Sequence, residues 1–494
     1  MSSPLYQLIR SLLQINRESG EPVFRQISDQ LVHAIRKGML APGAKLPGTR
    51  ILASFLKVHR KTVIAAYDDL NLHGWIIVSP YKGAVVADRL APLPEHPETK
   101  EQPMLRYPVT TGYSFIPNVL LDRTALPSGK AFQLTDGLPD VRITPIVKLS
   151  TIYNRLVKRK QTARYLNYTY GKPNDYFLEI LAKYLNNTRG LAITKNNVLI
   201  SRSVHMGLFL AASTLLNAGD NVIIGAYSYY IANMIIQQSG ASLVQVPVDD
   251  DGLCVDDIEK ICREKNIRVV YITPHSHYPT TAVLSAERRQ RLLQLSARYG
   301  FIIIEDDYDF DFQFDHQPQL PVACADNEGM VIYIGSFAKS LAPGFALSYL
   351  VAPENLITEL SKFSTLLAGY GDNITEQSIA EFIVDGEMHR HMDKSRKIYR
   401  NRRDLMCDLI TEELGEYVEF IKPEAGLAVW TRWDKSINLS KISRECADHG
   451  LTLPQHLLYQ SRREAAMRIG FANLNAEELK NAVQTLKYAV AKRN

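Results

Sequence analysis

The chain has only five cysteines in 494 residues, at positions 254, 262, 324, 407 and 446, and no two of them form a Cys-x-x-Cys pair. That scatter excludes a zinc ribbon and a disulfide framework, so the thiols read as reduced. No apolar run is long enough to cross a bilayer as a helix, which excludes a helical membrane anchor. Met1-Ser-Ser-Pro4 lacks the basic and apolar regions of a secretory leader. The expected compartment is the cytoplasm. Excess charge of either sign is also missing from most of the chain. Residues 1–90 hold twelve Lys and Arg against six Asp and Glu, a surplus larger than the +5 of the whole chain, so the remainder is one unit negative. A basic small region joined to a neutral large one points to a polyanion partner for the first region alone.

What is present is a globular mix, 46% hydrophobic and 22% charged, in a chain long enough for two or more domains. Phe24, Ile27, Leu31 and Ile35 recur at helical spacing after Pro22, and Gly38 with Pro42-Gly43 ends that helix. A second, short helix over 49–56 puts Leu52, Phe55 and Leu56 on one side, and Lys57-Val58 makes a tight turn. The third runs from about His59 to Leu72, with Val63, Tyr67 and Leu70 inward. Two β-runs follow, Trp75–Val78 and Ala84–Val86, joined by Ser-Pro-Tyr-Lys-Gly83. The expectation is a helix-turn-helix with a hairpin wing over residues 1–90. Arg60, Lys61 and Thr62 stand at the start of the third helix, where a recognition helix meets base edges and phosphates. Arg50 can clamp the DNA backbone, and Lys82 at the wing tip can reach phosphate or the minor groove.

This stretch resembles the winged-helix domain of the GntR superfamily. The matching text is Leu46-Pro-Gly-Thr-Arg50-Ile-Leu-Ala53 and Val58-His-Arg60-Lys-Thr62-Val-Ile-Ala-Ala-Tyr67. The resemblance implies DNA contacts by Arg50, Arg60 and Thr62. Gly48 and His59 depart from it, standing where the family usually has serine. A histidine N-cap in place of serine should weaken the helix start by about 1 kcal/mol.

From Ala91 to about Lys130 the text becomes irregular, opening with four prolines and four charges between residues 91 and 103. Such a stretch builds no core, so 91–130 is expected to be an extended linker.

From about 131 to 494, apolar β-runs alternate with helical patterns. The runs are 198–200, 221–224, 243–246, 269–272, 301–304, 331–334 and 349–351; helical stretches include 205–216, 286–299 and 380–383. Strands apolar on both faces and separated by helices indicate an α/β domain with a mainly parallel sheet. Ligands of such sheets bind beyond the carboxyl ends of the strands, where Asp306, Ser336 and Lys339 fall.

Those residue types suit pyridoxal phosphate (PLP). A lysine forms a Schiff base with an aldehyde, a carboxylate keeps a pyridine nitrogen protonated, a phenol hydrogen-bonds the ring oxygen, and an aromatic side chain stacks on the ring. Lys339, Asp306, Tyr308 and Tyr229 can fill these roles, with Ser336 at the phosphate. Taken singly, Lys339 could be a surface lysine and Glu305-Asp306-Asp307 a solvated acidic turn. Their shared position at neighbouring strand ends favours the joint reading.

The chain resembles fold-type I aminotransferases, and specifically the MocR/GabR group of regulators, which fuse a GntR-type winged helix to an aminotransferase-like domain. The resemblance rests on Asp136-Gly-Leu-Pro-Asp140, Arg189-Gly190, Gly219-Asp220, Glu305–Asp309, Ile334-Gly-Ser-Phe-Ala-Lys339-Ser-Leu-Ala-Pro343, Arg396–Arg400 and Arg468-Ile-Gly-Phe-Ala472. It implies that Lys339 bonds the cofactor, that Asp306, Tyr308 and Tyr229 hold its ring, and that Arg468 grips the carboxylate of an amino-acid effector. It also implies a homodimer pairing two winged helices on an operator in the nucleoid.

The departures gather at the phosphate. The family's arginine seven residues after the lysine is Ala346, the residue before the lysine is Ala338, and the usual phosphate turn reads Arg202-Ser-Val-His205, where Arg202 or His205 could compensate. The usual Ser-His-Gln-x-Pro-Thr-Gly reads His275-Ser-His-Tyr-Pro-Thr-Thr281. One lost charge-assisted contact costs about 1.5–3 kcal/mol, which weakens a cofactor without always abolishing it. The expectation is a sensor, not an enzyme, with residual half-transamination. A working aminotransferase and a cofactor-free regulator are the alternatives.

Overall fold

The computed structural model describes residues 6, 8–9, 12–79, 83–88, 108–121, 132–160, 162, 174–315, 319–368, 371–461 and 464–492. Lys82 lies outside them. Two compact units emerge, 1–115 and 116–494, and their division falls within the proline-rich stretch 91–130.

In the first unit the three apolar patterns become helices α1 (Val23–Arg36), α2 (Thr49–Leu56) and α3 (Arg60–Leu72). Pro22 sits at the N-cap of α1. Their apolar stripes meet in one core in which Ile27, Leu31, Leu52, Val63 and Leu70 are almost wholly buried. Each such side chain contributes about 1.5–3 kcal/mol against leaving it in water. Lys57, in the left-handed region at φ 52°, stops α2. His59 caps α3, its Nδ1 accepting from the Lys61 N–H at 3.2 Å. The wing is β1 (Ile76–Ser79) against β2 (Gly83–Val86), antiparallel, with Lys45 bridging to Val85. The buried Tyr67 hydroxyl donates to the Pro47 carbonyl at 2.7 Å, fixing the chain just before α2.

The large unit is built on a seven-stranded sheet of β3 (Val198–Ser201), β4 (Asn221–Gly225), β5 (Ser242–Val246), β6 (Ile267–Ile272), β7 (Ile302–Asp306), β8 (Val331–Ser336) and β9 (Ser348–Val351). Their spatial order is β3-β9-β8-β7-β6-β4-β5. The β8/β7, β7/β6, β6/β4 and β4/β5 pairs are parallel, and β9 runs antiparallel to both neighbours. Helix α4 (Val204–Leu215) follows β3, and α5 (Tyr230–Gln238) follows β4. A smaller sheet of β10 (Val418–Phe420), β11 (Ala428–Trp433), β12 (Leu458–Gln460) and β13 (Ala465–Gly470) is antiparallel throughout, ordered β10-β11-β13-β12.

Strand alternation decides which acid faces which side. Ile304 packs in the core shared with Tyr271, Ile332 and Ile334, whereas Ile303 packs on the other face with Val270, Ile272 and Val331. With a period of two, Asp306 follows Ile304 to the first face, and Glu305 and Asp307 follow Ile303 to the second. Among the described residues, no helix is long and apolar enough to cross a membrane.

Candidate functional site

Beyond the carboxyl ends of β7 and β8 lies a cavity of about 300 Å³. Lys339, Asp306, Tyr308, Tyr229 and Ser336 all line it, together with Arg202, His205, Asp136, Tyr278 and Ala346.

Asp306 is the last residue of β7, in register with Ile334 of β8, and is 2% exposed. Its Oδ2 accepts from the Tyr271 hydroxyl at 2.8 Å; its Oδ1 is buried without a hydrogen-bond partner. Burial is the largest cause raising its pKa to about 7, with Asp307 and Asp309 adding to it while Tyr271 and Lys339 oppose. A buried carboxylate oxygen with no donor is costly by itself and suits a cationic N–H.

Lys339 leaves the turn after β8 with its Nζ 2.9 Å from Asp309 Oδ1 and 4.3 Å from the centre of the Tyr308 ring. The Tyr308 hydroxyl donates to the Ser276 carbonyl at 2.6 Å, and burial pushes its pKa upward, so the phenol keeps its proton. Tyr229, at the N-cap of α5, contacts His205 Nε2 through its hydroxyl at 2.8 Å. Ser336 Oγ accepts from the Ala338 N–H at 3.0 Å and from Ser348 Oγ at 2.9 Å.

The opposite end is set by residues 135–137, clamped along β13. The Gly470 N–H donates to Thr135 O at 2.7 Å, and Arg468 Nε donates to Asp136 O at 2.8 Å. Gly137 has φ 105°, and a Cβ there would come within 3.2 Å of the Leu427 backbone, so only glycine fits. Arg468 is wholly buried and is not among the lining residues. Its Nη1 donates to Pro279 O at 2.8 Å, its guanidinium lies 4.9 Å from the Tyr278 ring centre, and its Nη2, without a hydrogen bond, is 4.0 Å from Asp309 Oδ2.

The phosphate end lacks the family's arginine. Ala346, at φ 47°, offers only a methyl group. What stands there instead is Arg202 and the start of α4, where Ser203 Oγ accepts from the Met206 N–H at 3.1 Å. A helix N-terminus with a side-chain cap favours an anion.

Asp309 and Tyr271 are the partners that sequence reasoning left without a role. Asp309 stood inside the quoted Glu305–Asp309 stretch, but its partner Lys339 is thirty residues on. Tyr271 lay inside an expected strand, and only the pairing of β6 with β7 brings it to Asp306.

In the first unit, Arg50, Arg60 and Lys61 are exposed and Thr62 half-buried. Arg60 Nε donates to Thr49 Oγ1 at 3.3 Å, which brings the starts of α2 and α3 together.

Comparison with known proteins agrees with this division. Residues 24–86 match the bacterial regulatory proteins of the gntR family, and residues 145–486 match the aminotransferase class I and II family. The chain is 26% identical over 489 residues to the probable rhizopine catabolism regulatory protein MocR of Rhizobium meliloti, covering 97% of this chain and 96% of that one. It is likewise 26% identical over 470 residues to the HTH-type transcriptional regulator YdfD of Bacillus subtilis, covering 94% and 95%. A kynurenine aminotransferase of Pyrococcus horikoshii, solved in complex with PMP, superposes with a TM-score of 0.67 at 25% identity, covering 74% of this chain and 92% of that one. The chain belongs to the aminotransferase class I and II family and carries a GntR-family domain ahead of it, the organisation of the MocR-type transcriptional regulators.

Proposed function

We propose that the protein is a DNA-binding transcriptional regulator whose aminotransferase-like unit binds PLP and reads an amino compound. The observation that carries the cofactor is the buried, unpartnered Asp306 Oδ1 in the same cavity as Lys339. PLP, when bound, supplies an aldehyde carbon for an amine and a ring that draws electrons from it. Lys339 Nζ is the protein's amine for that carbon. Asp306 Oδ1 holds the ring nitrogen's proton, Tyr308 turns its hydroxyl from the Ser276 carbonyl to donate to the ring oxygen, and Tyr229 stacks on the ring. Ser336, Arg202 and the first turn of α4 take the phosphate. Arg468, anchored on the Asp136 and Pro279 carbonyls, keeps for the effector's carboxylate the Nη2 that has no hydrogen bond.

The reading as a sensor rests on the same geometry. The cation normally placed on the phosphate is replaced by Ala346, and Lys339 is held by Asp309, both of which oppose rapid turnover. On the DNA side, Arg50, Arg60, Lys61 and Thr62 meet the duplex, with Lys82 at the wing tip. A homodimer acting in the cytoplasm, on DNA in the nucleoid, completes the reading.

The test is the absorbance of purified protein with added PLP, beside Lys339→Ala. A band near ~420 nm that disappears in the variant is expected of a cofactor bonded to lysine. No band at saturating PLP sinks the cofactor reading and leaves a cofactor-free regulator. Sustained release of a keto acid from an amino donor would instead make the protein a working aminotransferase.

A further inference from the structure

Asp309 is 1% exposed, and the one described hydrogen bond to its carboxylate comes from Lys339, whose Nζ stands 2.9 Å from Oδ1. Oδ2 has none. Arg468 Nη2, at 4.0 Å, attracts it by charge alone, and the Gly426 backbone packs so closely that a Cβ there would come within 2.8 Å of Oδ2. Asp309 is not among the residues that line the cavity, whereas Lys339 is, so Asp309 meets a ligand there through the lysine. The same ammonium lies 4.3 Å from the centre of the Tyr308 ring, whose face attracts a cation.

A buried carboxylate with a single donor ties its own free energy to the state of that donor. As an ammonium, Lys339 brings three hydrogens and a full charge. Double-bonded to the cofactor's carbon, its nitrogen keeps at most one hydrogen, and Asp309 loses the ammonium that balances it. The two states of Lys339 therefore differ in free energy at Asp309, and a ligand that returns the lysine to an ammonium is favoured by that difference.

We propose that Asp309 is the positioning residue that drives effector capture: it takes back the Lys339 ammonium that the effector's amine releases from the cofactor. The inference rests on the cofactor reading above. In the exchange the effector's ammonium nitrogen forms the double bond to the cofactor's carbon, the bond from that carbon to Lys339 breaks, and the three protons pass to Lys339, so atoms and charge balance. An ammonium has no lone pair with which to take a proton from the effector's carbon. The contact that favours capture thus also holds the protein at that stage, as a sensor requires.

Methylamine, a probe small enough to enter an open cofactor site, tests it. The full chain loaded with PLP is titrated with methylamine, reduced with borohydride and analysed by mass spectrometry. Chains in which Lys339 still holds the cofactor keep its mass; chains in which methylamine has replaced the lysine do not. The methylamine concentration that frees half of the chains should be roughly 10- to 100-fold higher in Asp309→Asn and Asp309→Ala than in the parent, the range of one charge-assisted contact. The ~420 nm band of each variant reports that it folds and loads. Asp309→Glu, which keeps the charge, should stay nearer the parent than either neutral variant. Equal midpoints in the parent and the neutral variants, or a glutamate variant displaced as far as they are, overturn the proposal and leave the cofactor reading intact. Absence of the band in the parent protein overturns both.

Discussion

In the winged helix, Arg50, Arg60 and Lys61 are exposed near the starts of two helices; around the large unit's cavity, Asp306, Asp309 and Arg468 are each at most 2% exposed. Both regions gather charge, in opposite dielectric settings. Water screens the first set, so each cation adds a modest, salt-sensitive increment and the fold survives its loss. The second set is out of water, so each charge needs a specific partner and constrains its neighbours. The exposed set can recognise a polyanion by sum; the buried set can recognise one small molecule by position.

The sharpest break of that comparison is Asp306→Asn. The variant should lose PLP affinity roughly 100-fold or more, since the ring nitrogen's proton loses its ionised acceptor. Its stability should move the other way. The folded-state pKa of Asp306 is about 7 against an ordinary 3.8, so the folded protein holds that proton to higher pH than the unfolded chain. Stability is therefore lost as pH rises from about 4 to 7, and above that the cost stays constant. The cofactor-free variant should melt with the parent near pH 4 and outlast it at pH 8, by on the order of a few kcal/mol. Equal stability at pH 8 would mean that Asp306 is not strained by burial and that its site was not built to receive a cation.

Ala346→Arg comes next in size. Ala346 already has the left-handed backbone, so a longer L side chain adds no new backbone strain. A guanidinium there should tighten PLP roughly tenfold, one charge-assisted contact. Unchanged affinity would show that Arg202 and the start of α4 already saturate the phosphate, and that the buried site compensates as freely as a surface does.

What could be read in advance follows the same divide. The winged helix is contiguous, and its 3.6- and 2-residue periods name every element over 23–86. The strands of the large sheet were legible for the same reason, and Lys339, Asp306 and Ser336 could be placed at strand ends. Their partners could not. Asp309 and Lys339 meet across thirty residues, Tyr271 reaches Asp306 through strand pairing, and Asp136 comes to the cavity through β13, more than three hundred residues away. Alternation along β7 separates Asp306 from Glu305 and Asp307, but it does not say which of the two faces ends in a cavity. At His59 the side-chain type argued for a weaker cap than serine, and it did not say that the ring nitrogen would take the Lys61 N–H. Thr281 takes φ 62° at the position where the family's stretch ends in glycine.

The smallest expected effect lies on the exposed side and tests the comparison most directly. Arg60→Ala removes one cation whose described hydrogen bond is to Thr49, so the melting curve of the protein should not move. Promoter binding, followed by fluorescence anisotropy, should weaken about tenfold at low salt, and the slope of log affinity against log salt should fall by about one. An unchanged slope with lost affinity would mean that Arg60 reads a base edge and releases no counterion, so its contribution depends on position as the buried charges' does. Undiminished affinity would remove α3 from the interface and leave the basic surplus of residues 1–90 without a duplex to meet.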